Sequence, residues 1–410
     1  MKKQIKNNVY WVGKIDWELQ EFHGSEFSVH HGSSQNAYLI QEEKTVLIDT
    51  VWTPHKEEFV KNLKTEIDLK EIDYIVINHG EPDHSGSLVE IMEEIPNTPI
   101  YCSANGKKSL IGQYHHPEWD YRVVKTGDSV DIGNGKQLVF VEMTMLHWPD
   151  SMATYMTGDN ILFSNDAFGQ HYALSELFND KADPTILWNE AMKYYANILT
   201  PFSSFAKKKI EEIVAMNLPI DIIATSHGSI WRENALEIVQ KYAEWADNYK
   251  EDQVTVIYDS MWGATKKIAH KIADDIREIS PYTRTKVLSV AEMDRNDIMT
   301  EVFKSRAIAV GSPTVGRSAI TTISGWLHFL QELKFKDKVA GVFGSYGWSG
   351  EGNKVLREEL EKAGFQIIDE EIKASWMPDD EFLKETEKFS KSLLEASVIE
   401  KKRITKQVIF

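Results

Sequence analysis

Cysteine is nearly missing: Cys102 is the only one among 410 residues. No intrachain disulfide can form, and no Cys-x-x-Cys metal knuckle exists. That poverty fits a reducing cytoplasm. Long apolar runs are missing as well. None approaches the roughly 20 residues that a bilayer-spanning helix needs. The opening stretch, MKKQIKNNVYWVGKIDW, turns polar and charged too soon for a secretory signal. Basic charge is in deficit: 46 Lys and Arg against 63 Asp and Glu leave a formal net charge of −17. Phosphate backbones repel such a chain, which argues against nucleic acid as a partner. Internal repeats and low-complexity segments are absent. These absences predict a soluble, cytoplasmic protein with no membrane partner.

What is present is ordinary bulk and unusual detail. Hydrophobic residues make up 42 % of the chain, enough for packed cores. The length exceeds one typical core, so two domains are expected. Residues 1–250 mix apolar strand-like runs with loops rich in His, Asp and Gly. NAYLI (36–40) and TVLIDT (45–50) read as a paired strand unit. DYIVINH (73–79), LVFVEM (138–143), ILFSND (161–166) and IDIIATSHG (220–228) are apolar runs that each end in a charged or His-bearing tip. Residues 55–67 and 205–216 carry apolar positions at helical spacing. From 251 to 400 the rhythm is βαβ: QVTVIYDS (253–260), a helix over 266–279, RAIAVGSPT (306–314), KVAGVFGSYG (338–347), a helix over 351–365, and QIIDEEI (366–372). That alternation predicts an α/β unit with a doubly wound parallel sheet. The polar NYKED (248–252) marks the expected boundary, and residues 401–410 read as a loosely held tail.

The densest chemical signal is His79-Gly-Glu81-Pro-Asp83-His84, four potential ligands within six residues just past an apolar strand. His147, Asp166 and His227 stand at the tips of later strands. A lone His at a strand end is ordinarily only a polar surface residue. Seven such groups at neighbouring strand tips point instead to a bound metal pair. In the second half, three Gly/Ser/Thr loops each follow a strand. They are Ser260-Met261-Trp262-Gly263-Ala264-Thr265, then Gly311-Ser312-Pro313-Thr314-Val315-Gly316, then Gly344-Ser345-Tyr346-Gly347-Trp348-Ser349-Gly350. The first precedes a helix, so its backbone N–H groups and hydroxyls suit a phosphate. Trp348 is either a packing aromatic at a sheet edge or a ring that stacks on a planar heterocycle.

Over residues 30–250 the metal-loop pattern resembles the metallo-β-lactamase fold, an αββα sandwich whose loop commonly reads His-x-His-x-Asp-His. Here Glu81 stands where the hydrolases usually have His. A carboxylate in place of an imidazole hardens the site and favours iron cycling between ferrous and ferric states. The resemblance implies His79, Glu81 and His147 on one metal and Asp83, His84 and His227 on the other, with Asp166 bridging. His84 is alternatively a partner standing behind the ligands. The second half resembles a flavodoxin-like domain binding FMN at the sheet's switch point, although Trp262 replaces the usual Thr of its phosphate loop.

A metallo-β-lactamase-like domain with this Glu, followed by a flavodoxin-like domain, resembles the flavodiiron family. HWPDSM (147–152), SNDAFGQHY (164–172) and ATSHGSIWR (224–232) add to the resemblance. It implies FMN and two non-haem iron ions, and reduction of dioxygen to water or of nitric oxide to nitrous oxide. The motifs admit either gas, since both are small and neutral. The likeness is greatest to members with a fused rubredoxin domain. That domain needs four cysteines, so a separate electron donor, rubredoxin by family expectation, is implied. Lys207, Lys208, Lys209, Lys266 and Lys267 are candidate docking charges. Pocket residues implied by the resemblance are His23, His171 and Tyr195. It also implies a head-to-tail homodimer, or a dimer of dimers, in which the flavin of one chain serves the irons of the other. A zinc hydrolase with an accessory flavodoxin domain is the competing expectation. An electron carrier with a vestigial metal domain is a third, disfavoured by the intact ligand set.

Overall fold

Period-two burial along the first strands dictates the architecture of the N-terminal half. In the computed structural model, which describes residues 2–398, Leu39 and Leu47 face one way and Tyr38, Ile40, Val46 and Ile48 face the other, all fully or nearly fully buried. A sheet buried on both faces must carry a layer on each. The expected tail, 401–410, lies outside the described residues.

Seven strands run in the order Lys3–Lys6, Val9–Trp11, Tyr38–Gln41, Thr45–Ile48, Ile72–Val76, Ile100–Ser103, Tyr121–Val124. The first three pairings are antiparallel and the last three parallel. Helices Lys56–Glu66, Leu88–Glu94 and Ala104–Tyr114 cover one face through Phe59, Leu63, Leu88, Ile91 and Leu110. The other face packs on a second sheet, ordered Ser129–Gly133, Lys136–Glu142, Met152–Met156, Ile161–Asn165, Ile222–Thr225. Phe140, Met152, Met156, Ile161 and Phe163 fill the space between the sheets. Leu162 and Ile223 point oppositely and are buried too, so this sheet is also covered on both faces.

The second unit is one parallel sheet ordered Arg284–Ser289, Glu251–Tyr258, Ser305–Val315, Val339–Tyr346, Gln366–Ser375. Chain order 2-1-3-4-5 is doubly wound, with its reversal beside the first strand. Helices Ala264–Ile279 and Glu385–Ala396 cover one face through Ile268, Ile272, Ile276, Phe389 and Leu393. Helices Arg295–Lys304, Thr321–Leu333 and Gly352–Lys362 lie on the other. The chain divides into two compact units. Among the described residues, one takes in those up to Tyr195 plus Phe202–Glu244; the other takes in Ala196–Pro201 and those from Trp245 to 398. Among the described residues, no helix is long and apolar enough to cross a membrane.

Candidate metal centre and flavin cradle

Strand Ile72–Val76 delivers the chain to the rim of the first unit, where its backbone must turn sharply. Asp49, at the tip of the adjacent strand, accepts from Asn78 N at 2.7 Å and Asn78 Nδ2 at 3.2 Å, which fixes the residue before His79. Burial pushes the Asp49 carboxyl up to about 6, against the pull of His84 and the Asn78 donors. Gly80 is required by space: a Cβ there would lie 2.6 Å from Ser109 Cβ. One helical turn, Pro82–Ser85, then swings Asp83 and His84 inward. Thr50 N and Oγ1 both donate to His84 O, at 2.6 and 2.9 Å, and pin that turn to the strand behind it.

The seven groups converge. Asp166 offers one oxygen to each side: Oδ1 lies 3.1 Å from His84 Nε2 and 3.3 Å from His227 Nε2, while Oδ2 lies 3.8 Å from His79 Nε2 and 3.7 Å from His147 Nε2. Asp83 Oδ2 is 3.1 Å from both His84 and His227. Glu81 Oε2 is 3.1 Å from His79 Nε2 and 3.7 Å from His147 Nε2. His84 Nε2 thus points among the carboxylates, not behind them.

Several of these contacts are close without being hydrogen bonds. Among the described residues, Asp83 Oδ1 and Oδ2, His84 Nε2 and Asp166 Oδ2 are buried with no hydrogen-bond partner. Orphaned polar atoms aimed at a common point are expensive unless something fills it. The electrostatics agree. Burial alone would neutralise the imidazoles, but Asp150, Glu81 and Asp166 push His79 up to about 10. Likewise Asp166 and Asp83 push His227 up to about 9. The same two carboxylates hold His84 well above its ordinary value despite burial. The cluster therefore demands positive charge, which a pair of hard-to-borderline cations held by N and O donors would supply.

The pocket wall comes from elsewhere. A small hairpin, Glu21–Phe22 with Phe27–Ser28, sets Phe22 against His171 and His227, with ring centroids 4.8 and 5.4 Å apart. It also brings His23 Nε2 to 3.4 Å from Glu81 Oε1. His171 is fully buried, its Nδ1 2.7 Å from Ser33 Oγ; burial, then His227 and His23, push its pKa well below the ordinary value. The expectation for Tyr195 is corrected. Its hydroxyl meets Ser203 Oγ at 3.0 Å and its ring packs on Tyr242. Tyr194 is the one that faces the cluster. Its ring lies 5.3 Å from His171, and burial together with Asp166, Asp83 and Glu81 raises its pKa. Tyr194 closes helix Pro184–Tyr194, and one helical step rotates the next side chain by about 100°.

In the second unit the three expected loops all lie at the C-terminal strand ends. Gly263, at φ 89°, caps helix Ala264–Ile279, and Ser260 Oγ accepts from Gly263 N at 3.1 Å and Lys266 N at 3.3 Å. Thr265 Oγ1 meets Ser345 Oγ at 2.9 Å and so ties the first loop to the third. The second is a hairpin: Val315 pairs with Ser318 around Gly316 and Arg317, both at positive φ, the conformation of a tight two-residue turn. Ser312 Oγ accepts from Ile320 N at 2.9 Å, and Thr314 Oγ1 from Gly352 N at 3.2 Å. Two glycines serve packing instead of ligand approach. A Cβ at Gly311 would fall 2.0 Å from the Phe343 ring, and one at Gly344 2.4 Å from Asn353 Oδ1. Trp262 and Trp348 are 81 % and 90 % exposed, so neither is a packing residue within this chain. Trp376, 66 % exposed, joins them by stacking on Gly347; no sequence motif singled it out.

Comparison with known proteins matches these two units in order. The family described as ODP family beta lactamase matches residues 33–228, and the flavodoxin family matches 256–389. The anaerobic nitric oxide reductase flavorubredoxin of Aliivibrio fischeri is 54 % identical over 384 residues, covering 94 % of this chain and 77 % of that protein. The rubredoxin oxygen:oxidoreductase of Desulfovibrio gigas superposes with a TM-score of 0.93 at 34 % identity, covering 97 % of this chain and 98 % of the other. The flavodiiron protein of Giardia intestinalis gives 0.91 at 31 %, with the same coverages. On sequence and fold together, the chain belongs to the flavodiiron protein family.

Proposed function

We propose that this chain is an oxidoreductase that reduces a diatomic gas, nitric oxide to nitrous oxide or dioxygen to water, at a non-haem di-iron site served by FMN. The observation that carries it is Asp166, whose two carboxylate oxygens face two separate imidazole pairs, as a ligand shared by two metals would. His79, Glu81 and His147 would hold one iron and Asp83, His84 and His227 the other. The relatives named as nitric oxide and oxygen reductases support the activity, and the carboxylate at position 81 supports iron over zinc. Two irons held by these residues would supply the redox chemistry that two-electron and four-electron reductions need.

The chain's own part is placement and exclusion. Three carboxylates and four imidazoles fix the charge of the centre. Phe22 and Phe27 bring apolar rings to its pocket side, which disfavours water and ions over a small neutral gas. His171 and Tyr194 place polar atoms in that same wall. For FMN, Ser260, Met261, Trp262, Gly263, Ala264 and Thr265 would cradle the phosphate through backbone N–H groups. Ser312 to Gly316 and Ser345 to Gly350 would border the ring system, with Trp348 stacked on it. Purified protein should carry about two irons and one flavin per chain. Turnover should be found with at least one of the two gases, and zinc-only protein without gas turnover would overturn the reading.

The donor is proposed to be a small acidic redox protein such as rubredoxin. Two acidic proteins need a local basic patch to dock. Lys207, Lys208 and Lys209 in the first unit, or Lys266 and Lys267 in the second, are the proposed contributors; Lys208 and Lys209 also pair with Glu212, and Lys267 donates to Pro378 O at 2.9 Å. The working unit is proposed to be a head-to-tail homodimer, alone or as a dimer of dimers. Each site is built within one unit of the chain, and an isologous contact can serve both flavin–metal pairs at once. Subunit exchange tests this. A chain with Asp83→Ala and His147→Ala is mixed with one carrying Gly263→Val and Thr265→Ala. Mixed dimers that regain turnover support transfer between chains, and inactive mixed dimers refute it.

A further inference from the structure

The two metal positions are matched in donors: each has two imidazoles and one carboxylate, and Asp166 is shared. They are not matched in what stands behind one imidazole of each, His79 and His227. His227 Nδ1 lies 2.9 Å from the backbone carbonyl of Ser34, a neutral acceptor. His79 Nδ1 lies 3.0 Å from Oδ1 of Asp150, a contact bent from the ideal hydrogen-bond line. Asp150 is 1 % exposed, and Oδ2 accepts from Gly80 N at 2.9 Å. Its backbone oxygen accepts from Ser103 Oγ at 2.9 Å, which anchors the loop that also carries His147. Space reinforces the arrangement, because a Cβ at Gly80 would come within 2.9 Å of Asp150 Oδ2. Asp150 therefore touches the backbone just past one ligand, the ring of that ligand, and the loop of a second.

We propose that Asp150 is the positioning residue of the His79–Glu81–His147 position, and that its carboxylate makes this the tighter of the two metal positions. An ionised carboxylate only accepts hydrogen bonds. Facing Nδ1, it keeps the imidazole proton there and leaves the Nε2 lone pair free for the metal. It also makes the ring a stronger donor than a carbonyl-backed ring, because it carries a full negative charge. His227 receives the same tautomer from Ser34 without the added charge, and Asp49, the buried carboxylate that acts on His84, has its two oxygens already taken by Asn78 N and Nδ2. The proposal rests on the assignment of His79, Glu81 and His147 as ligands.

The test is Asp150→Asn. Gly80 N–H still demands an acceptor, so the amide oxygen turns to it and the amide N–H₂ faces His79 Nδ1. That drives the ring to the other tautomer, with its proton on the ligating nitrogen. Chelator challenge of the iron-loaded variant should remove one iron per chain at about 10–100-fold lower chelator than in the unaltered protein, leaving the second iron and the flavin in place. Ser103→Ala, which loosens the same loop and keeps the carboxylate, should hold both irons more firmly than Asp150→Asn. The inference is overturned if Asp150→Asn retains both irons like the unaltered protein, if both irons leave together, or if Ser103→Ala loses iron as readily. Should Asp150→Asn not fold, nitrogen-resolved NMR of the unaltered, zinc-loaded protein decides. A hydrogen-bonded proton on His79 Nδ1 supports the proposal, and its absence refutes it. Unaltered protein that binds no iron would instead refute the ligand assignment itself.

Discussion

In the first unit the groups that matter are hidden: His79, Asp83, His84, Asp166 and His227 are each at most 5 % exposed. In the second, Met261, Trp262 and Trp348 are between 53 % and 90 % exposed. The first site is made of side-chain charge held out of water, and each group is tolerated because the others are there. The second is made mostly of backbone at strand ends, with rings left standing in solvent. Losing one member of a buried charge cluster leaves its partners uncompensated, which costs far more than the contact itself. Losing one exposed ring leaves the rest of a backbone cradle unchanged. The two sites should therefore respond to single substitutions on different scales.

Asp166→Ala is the largest break expected. Both metals share this carboxylate, so iron should fall from about two per chain toward none. Turnover with either gas should drop by more than about 100-fold, beyond what residues behind the ligands typically cost. FMN content should not change. Metal analysis alongside flavin absorbance reads this directly, and loss of only one iron would show that Asp166 does not bridge.

Glu81→His sharpens the same comparison from the side of metal choice. It removes one negative charge from a position that holds iron in its higher charge state. The variant grown with both metals available should shift from iron toward zinc, and gas turnover should fall about tenfold or more. An iron-filled, fully active variant would remove the argument drawn from this carboxylate.

The hidden and exposed sites were alike in how readable their outlines were. Every proposed ligand announced itself as a polar residue at the tip of an apolar strand, because a sheet rim gathers strand ends. The three loops announced themselves the same way, and the βαβ rhythm carried the doubly wound parallel sheet, though not the edge strand Arg284–Ser289 or the strand order. What stood behind the ligands was not legible. Asp150 sat in plain view in the HWPD stretch, but an Asp three residues after a His has no periodicity to mark it as buried. Asp49, inside TVLIDT, had equally little to distinguish it. Tyr194 and Tyr195 are chemically identical neighbours, and only the helix phase decides which faces the metals. Gly311 and Gly344 open two of the loops, but what demands glycine there is tertiary packing against Phe343 and Asn353, which no local pattern marks. Local pattern reveals where polar groups gather; it does not reveal which neighbour from a distant strand will stand behind them.

Trp348→Ala probes the exposed side. A stacked ring contributes about 0.5–1.5 kcal/mol beyond its area. FMN affinity should weaken a few-fold to about tenfold by fluorescence titration. Because the ring is 90 % exposed, the melting temperature of the flavin-free protein should not move. A drop in that temperature would mean the ring packs within the protein; unchanged FMN affinity would mean it does not stack.

The smallest functional effect is expected at Lys338, a buried charge in the flavin-proposed unit that lies at neither site. Its Nζ donates to the carbonyl oxygens of Tyr249, Phe303 and Ser305 at 2.9, 2.8 and 2.6 Å. Burial pushes its pKa down from 10.5 to about 7, with Lys250 adding to the push and Glu251 opposing it. A folded pKa below the unfolded one means that the unfolded chain binds more protons between about pH 7 and 10.5, so stability rises with pH across that window. The cost of the buried ammonium is fully present below pH 7 and fades as pH climbs toward 10.5. Lys338→Met removes this dependence and leaves three carbonyls without their donor, a loss of about 1–3 kcal/mol for each that finds no other partner. The variant should therefore fall further below the unaltered protein at pH 9.5 than at pH 7, by about 1 kcal/mol or more, in denaturant titrations read by flavin release. Iron content and gas turnover should stay level. A stability gap independent of pH would show that the carbonyls hold the ammonium fully charged throughout, and that Lys338 acts as a fixed three-way tie at the base of the sheet.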